Sequence, residues 1–195
     1  MPQFAANAMV ADQPDKGQHG DSIGGVRREA APIILTAELE ARDQAWVDQL
    51  RRRHFPPERN HLAAHITLFH HLPPSIEPDL RRMLAMFSRD APLEARIDGL
   101  FSLGRGVAIS IRSPGLLALR DRLAEAFNAC LIPQDRHTPR LHITVQNKVD
   151  AEVARETLET LRPLVSPRPT RIGALACWHY RGGPWSPIAR YAFRG

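Results

Sequence analysis

Apolar positions along the chain switch between two periods, and the switches mark out its elements. The run Pro32-Ile33-Ile34-Leu35-Thr36-Ala37 has the length of a strand. After it Leu39, Trp46, Val47 and Leu50 fall on a helical stripe ending in Arg51, Arg52 and Arg53, cations that suit the negative end of a helix dipole. Pro56-Pro57 stops that helix. Leu62 to Phe69 predicts a second strand, Ile76, Leu80, Met83, Leu84 and Phe87 a second helix, and Leu93 to Phe101 a third strand. Past a turn at Gly104 and Gly106 the pattern begins again. Val107 to Ile111 alternates with period two, and Leu116, Leu119, Leu123, Phe127 and Cys130 recur at steps of three and four. Leu141 to Gln146 is strand-like, and Ala154, Leu158, Leu161 and Val165 form another helical stripe. Ile172 to Tyr180 and Ile188 to Phe193 read as two strands around Gly182-Gly183-Pro184.

The order strand, helix, strand, helix, strand thus occurs twice, with one strand added at the end. It predicts an α+β protein with a bilobal, duplicated fold: two antiparallel-type sheets facing a central cleft, with helices packed outside. Lobe one is expected at about 31–103 and lobe two at about 104–195. Residues 1–30 mix Gly, Asp, Gln, Lys and His without apolar periodicity and are expected to form a disordered tail, with His19 solvated.

The second strand of each half carries the same constellation, His65-Ile66-Thr67-Leu68 and His142-Ile143-Thr144-Val145. Of nine histidines only these two are followed two places on by threonine. Successive side chains on a strand point to opposite faces, so Ile66, Leu68, Ile143 and Val145 face a core while histidine and threonine share the open face. One buried histidine bonded to a neighbouring threonine is ordinary core chemistry. Two at matching positions in two similar halves are not demanded by packing. Strand parity extends the open face to His61, Ala63, Phe69 and His71 in the first strand, and to Arg140, Gln146 and Lys148 in the second. Arg140 and Lys148 are candidates to neutralise phosphate charge, and Phe69 to stack on a base. His70 falls on the other face and is expected to be structural.

Two imidazoles suit in-line cleavage of a phosphodiester. One takes a proton from the attacking oxygen and the other gives one to the departing oxygen, and a pKa near 6.5 lets each ring serve either role. Threonine hydroxyls beside them can donate to the non-bridging oxygens as charge builds there. The 26 basic against 21 acidic residues give a net charge of +5. Arginine forks suit phosphate oxygens, so this balance fits a nucleotide or nucleic-acid partner, and equally a merely solvated surface. Cys130 and Cys177 show neither a CxxC nor a metal-type spacing and are expected to be reduced core residues. There is no apolar run of about 18 residues and no basic-then-apolar leader, so a cytoplasmic protein with no membrane association is expected. A metal hydrolase built on His61, His65, His71 and His142 would lack interleaved carboxylates, and no metal is expected.

The two motif segments resemble the HxTx signatures of the 2H phosphoesterase superfamily, which includes bacterial 2′-5′ RNA ligase-like proteins and RNA 2′,3′-cyclic phosphodiesterases. The likeness runs from about Ile33 to the end. It implies a mechanism free of metal and cofactor in which His65 and His142 act as acid and base and Thr67 and Thr144 hold the phosphate. The partners it implies are RNA ends or small nucleotides with a cyclic phosphate or a 2′-5′ linkage, ligation being the reverse reaction. The rival reading is a non-catalytic module that binds RNA ends or nucleotides. A monomer is expected. Two features depart from the family pattern: about 30 extra N-terminal residues, and the ending Trp178-His179-Tyr180-Arg181-Gly182-Gly183-Pro184-Trp185. That ending either lines the substrate end of the cleft or packs as a C-terminal hairpin.

Overall fold

A computed structural model describes residues 31–195; the tail expected at 1–30 lies outside the described residues. In chain order the elements are β1 (Ile33–Leu39), α1 (Ala41–His54), β2 (Ile66–Leu72), α2 (Glu77–Phe87), β3 (Leu93–Ser102), β4 (Val107–Arg112), α3 (Pro114–Ala126), α4 (Pro133–Arg136), β5 (His142–Gln146), α5 (Ala151–Leu161), β6 (Arg168–His179) and β7 (Ser186–Ala192). Only the one-turn α4 interrupts the order that periodicity predicts. Local chemistry sets several boundaries. Pro114 begins α3, where a missing N–H costs nothing, and the Ser113 hydroxyl accepts the Leu116 amide at 3.3 Å. Because α3 ends at Ala126, Cys130 falls in the following turn and is exposed rather than in the core. Cys177 is buried in β6, as expected, and burial pushes its thiol up to about 12.

The fold is α+β with an antiparallel sheet, but the two expected sheets are one. The strands run in the order β1-β2-β5-β4-β3-β6-β7, and β6 also pairs with β1, closing the first six into a ring. Strand β6 is long enough for two partners along one edge: β3 pairs with Arg168–Ile172 and β7 with Ala174–His179. Pairing therefore crosses the boundary expected near 103 and 104, since β3 lies between β4 and β6 rather than beside β1 and β2. Between the halves, β2 and β5 meet at the single pair Ile66↔Ile143. The core lies on one face of the sheet, where Leu35, Ile66, Ile109 and Ile143 pack with Val47 of α1, Leu84 of α2, Leu116 of α3 and Leu161 of α5. Among the described residues no helix is long and apolar enough to cross a membrane.

Both motif strands carry a β-bulge just past their threonine. On β2, Thr67 pairs with Thr36 but Phe69, not Leu68, pairs with Leu35. On β5, Thr144 pairs with Ala108 but Gln146, not Val145, pairs with Val107. The additional residue reverses alternation, so Leu68 and Phe69 are both buried, and likewise Val145 and Gln146.

Candidate active site

Strands β2 and β5 run antiparallel, paired at Ile66↔Ile143. One residue to either side, that register sets His65 opposite Thr144 and Thr67 opposite His142, all four on the face away from the two isoleucines. The histidines are then diagonal neighbours, a spacing of roughly 7–8 Å in a sheet. They are close enough that charge on His142 is among the influences lowering His65.

Each ring is held by the same local bond. His65 Nδ1 lies 2.8 Å from the Ala63 carbonyl, and His142 Nδ1 lies 2.7 Å from the Arg140 carbonyl. A carbonyl can only accept, so Nδ1 carries the proton in both rings and Nε2 of the neutral form is left as an acceptor. Burial pushes His65 down to about 4, with the Arg51 and His142 charges adding to it and the Ala63 carbonyl and Asp48 opposing. His142 is also lowered, again mainly by burial, with the Arg140 and His70 charges adding.

His65 stands one residue before β2, on a segment that sequence periodicity had as strand from Leu62. Side chains of α1 hold it instead. Asp48 Oδ1 accepts the Ala64 amide at 2.6 Å, and Gln44 Nε2 donates to the Ala64 carbonyl at 2.7 Å. Arg51, expected only as a cation at the helix end, is 7 % exposed. It donates to the Thr144 carbonyl at 2.7 Å and to Asn60 Oδ1 at 2.9 Å. Burial lowers its pKa to about 10, against the pull of Asp48. One face of α1 thus grips the approach to one motif and the backbone of the other. The spacing of Gln44, Asp48 and Arg51 at i, i+4 and i+7, interleaved with Val47 and Leu50, was the available signal.

The walls differ. Beside His142, Phe101 presents an edge-on contact at 5.7 Å between ring centroids, and the Arg140 guanidinium lies 3.6 Å above the Phe101 ring. Beside His65, Trp185 approaches to 5.0 Å and in turn neighbours Trp178 at 6.4 Å. Trp178 Nε1 donates to Thr36 Oγ1 at 2.9 Å. The C-terminal segment forms the β6–β7 hairpin, one of the two arrangements considered for it, and its Trp185 indole lies against His65.

The structure brings His65, His142, Thr67, Thr144 and Arg140 together and leaves out two of the expected contacts. Phe69 is 0 % exposed and packs beneath the Arg120 guanidinium at 4.7 Å, because the β2 bulge turns it to the core face. Lys148 lies beyond the end of β5 in a left-handed turn (φ 59°), where strand parity no longer applies. Gln146 is turned inward by the β5 bulge and donates to Thr157 Oγ1 at 2.8 Å. Among the described residues, no three His, Cys, Asp or Glu side chains are grouped as a metal site would need.

The chain belongs to the 2′-5′ RNA ligase superfamily, whose family model matches residues 39–184, a span that holds both motifs. The resemblance to 2H phosphoesterases read from the twin motifs is thereby borne out. Solved structures of the same fold include TT0787 of Thermus thermophilus, at 19 % identity and a TM-score of 0.57 over 84 % of this chain and 98 % of that one. E. coli LigT complexed with 3′-AMP is similar at 19 % identity and a TM-score of 0.56, over 86 % of this chain and 99 % of that one. LigT complexed with NADP+ gives 21 % and 0.52, with the same coverage. At such identities the likeness is one of fold. No curated protein matches the chain. Membership assigns the protein an enzymatic chemistry of the phosphoesterase or ligase type.

Proposed function

We propose that the protein opens the 2′,3′-cyclic phosphate, or cleaves the 2′-5′ phosphodiester, of RNA ends or small nucleotides by two-histidine acid–base catalysis that needs neither metal nor cofactor. The observation that carries this reading is the pair of imidazoles pinned through Nδ1, each leaving Nε2 as the acceptor of its neutral form, set diagonally across one strand pair. With water as nucleophile, one Nε2 takes the water proton as the new O–P bond forms. The other ring, protonated, gives its proton to the ribose oxygen as that P–O bond breaks. The Thr67 and Thr144 hydroxyls donate to the non-bridging oxygens, where charge develops. With a 5′-hydroxyl in place of water, the same groups ligate: one ring takes the hydroxyl proton as its O–P bond forms, and the other gives a proton to the ribose oxygen released from the cyclic phosphate.

The unequal surroundings support a direction. His65, pushed down to about 4, stays unprotonated at neutral pH and serves as base. His142 serves as acid, and a bound phosphate anion raises its pKa toward the value that role needs. Arg140 supplies a fixed positive charge beside it. The indoles of Trp185 and Trp178 give a nucleoside an apolar wall on the His65 side. The 3′-AMP complexed by E. coli LigT supports a nucleotide as ligand of this cleft.

Product analysis against a panel of 2′,3′-cyclic nucleotides and 2′-5′-linked dinucleotides, with chelator present, tests the reading. Conversion of at least one substrate to a monoester or to separated nucleotides is expected. Binding that falls steeply with salt, without turnover of any substrate, would favour the non-catalytic module instead.

A further inference from the structure

Beyond its bulge, β2 carries another histidine that the acid–base pair does not use. His70 Nδ1 lies 3.0 Å from Asp135 Oδ1. Asp135 is 2 % exposed, and its carboxylate also accepts the His70 amide at 3.0 Å and the His71 amide at 2.9 Å. Burial alone would raise this carboxyl, but the bonds from the His70 ring and the two amides outweigh it and hold the pKa below the usual range. An ionised carboxylate can only accept, so the His70 Nδ1 bears the proton and Nε2 is left as the ring's other nitrogen. Behind Asp135, the buried Arg120 donates to the Asp135 carbonyl, and to the His137 carbonyl at 3.0 Å, fixing α4 in place. The line Arg120, Asp135, His70 runs from core to surface. It ends on a side chain that is 48 % exposed.

That much buried polar structure is not needed to leave a histidine in solvent. The place it chooses is informative. Thr67 stands opposite His142, and His70 is the first residue of β2 past the core-facing pair Leu68 and Phe69. His70 and Arg140 both lie near enough to His142 for a charge on either to lower it. One side is therefore aromatic, at Trp185 and Trp178, and the other carries Arg140 and His70. With Nδ1–H held by Asp135, a second proton on the His70 ring would sit on Nε2, from which it can be donated to a phosphate oxygen in a charge-assisted bond.

We propose that His70, positioned by Asp135, forms with Arg140 a subsite for a second phosphate, so that the cleft favours a nucleotide carrying a phosphate beside the one held between His65 and His142. The substrate class is then an RNA end longer than one residue, or a 5′-phosphorylated nucleotide, rather than a bare cyclic mononucleotide. This rests on the nucleotide reading of the cleft.

Calorimetric titration of the full chain with 3′-AMP and with adenosine 3′,5′-bisphosphate tests the subsite by binding, independently of turnover. In the wild type the bisphosphate is expected to bind about tenfold more tightly, the size of one exposed charge-assisted contact. In His70→Gln the ratio of the two Kd values falls to about one, and in His70→Arg, which keeps a cation, it stays well above one. Equal affinities in the wild type, or a preference that survives in His70→Gln, would overturn the subsite alone. No binding of 3′-AMP by the wild type would overturn the nucleotide reading and the subsite with it.

Discussion

Around His65 the chain closes in: α1 side chains grip the segment before β2, and Trp185 covers the ring. Around His142 it opens out, with an edge-on Phe101 and the exposed side chains of Arg140 and His70. Yet both rings are fixed through Nδ1 to the carbonyl two residues earlier, and both stand beside a threonine two residues later. The motif thus governs where a ring points, and the surroundings govern when it holds a proton. A duplicated pattern can supply acid and base from the same residue type because the second influence is free to differ.

Removing either ring tests the comparison most severely. His65→Ala and His142→Ala are each expected to lower kcat by about 10²–10⁴-fold, and full activity in either would exclude an acid–base role for that ring. The wild-type profile of kcat/KM against pH is expected to be a bell. Its acid limb, near 4, reports the loss of a proton from the base, and its alkaline limb, below 6.5, the loss from the acid. The maximum then lies on the acid side of 6.5. The residual activity of His65→Ala should lack the acid limb and that of His142→Ala the alkaline one; a flat wild-type profile would count against paired imidazoles.

Smaller effects probe the shared part and then the differing part. Thr67→Val and Thr144→Val each remove one hydroxyl donor, with an expected loss in kcat of about 10²-fold. A large effect at one threonine and none at the other, measured by steady-state kinetics, would break the equivalence of the two motifs. Asp48→Asn weakens the bond that holds the Ala64 amide and is expected to cost about 1–3 kcal/mol in denaturant unfolding. Trp185→Ala lets water reach His65, whose pKa then climbs from about 4 toward its ordinary value. The acid limb moves to higher pH while the alkaline limb stays. An acid limb that does not move would mean that burial under the indole is not what depresses His65.

Element order and the motif face were legible because they depend on local periodicity: Val107 to Ile111 alternates and forms β4, and the Leu116 to Leu123 stripe forms α3. Pairing partners were not, because nothing local to β3 says that it will lie between β4 and β6. Phe69 and Gln146 were misplaced for one shared reason, since counting by twos fails once a strand takes an additional residue. Arg51 and Asp135 were missed because charged residues in helical or loop segments read as solvated by default. Their burial becomes visible only with the carbonyls and amides they satisfy.

The twin bulges have a consequence for the size of what the protein can grip. By changing phase after three residues, each strand gives the cleft one histidine and one hydroxyl, about 7 Å apart along the strand, and then turns two residues in a row to the interior, Leu68 and Phe69 on β2, Val145 and Gln146 on β5. The reactive floor is as a result one tetrahedral centre wide, and a longer chain must find its remaining footholds on the rims rather than along the floor.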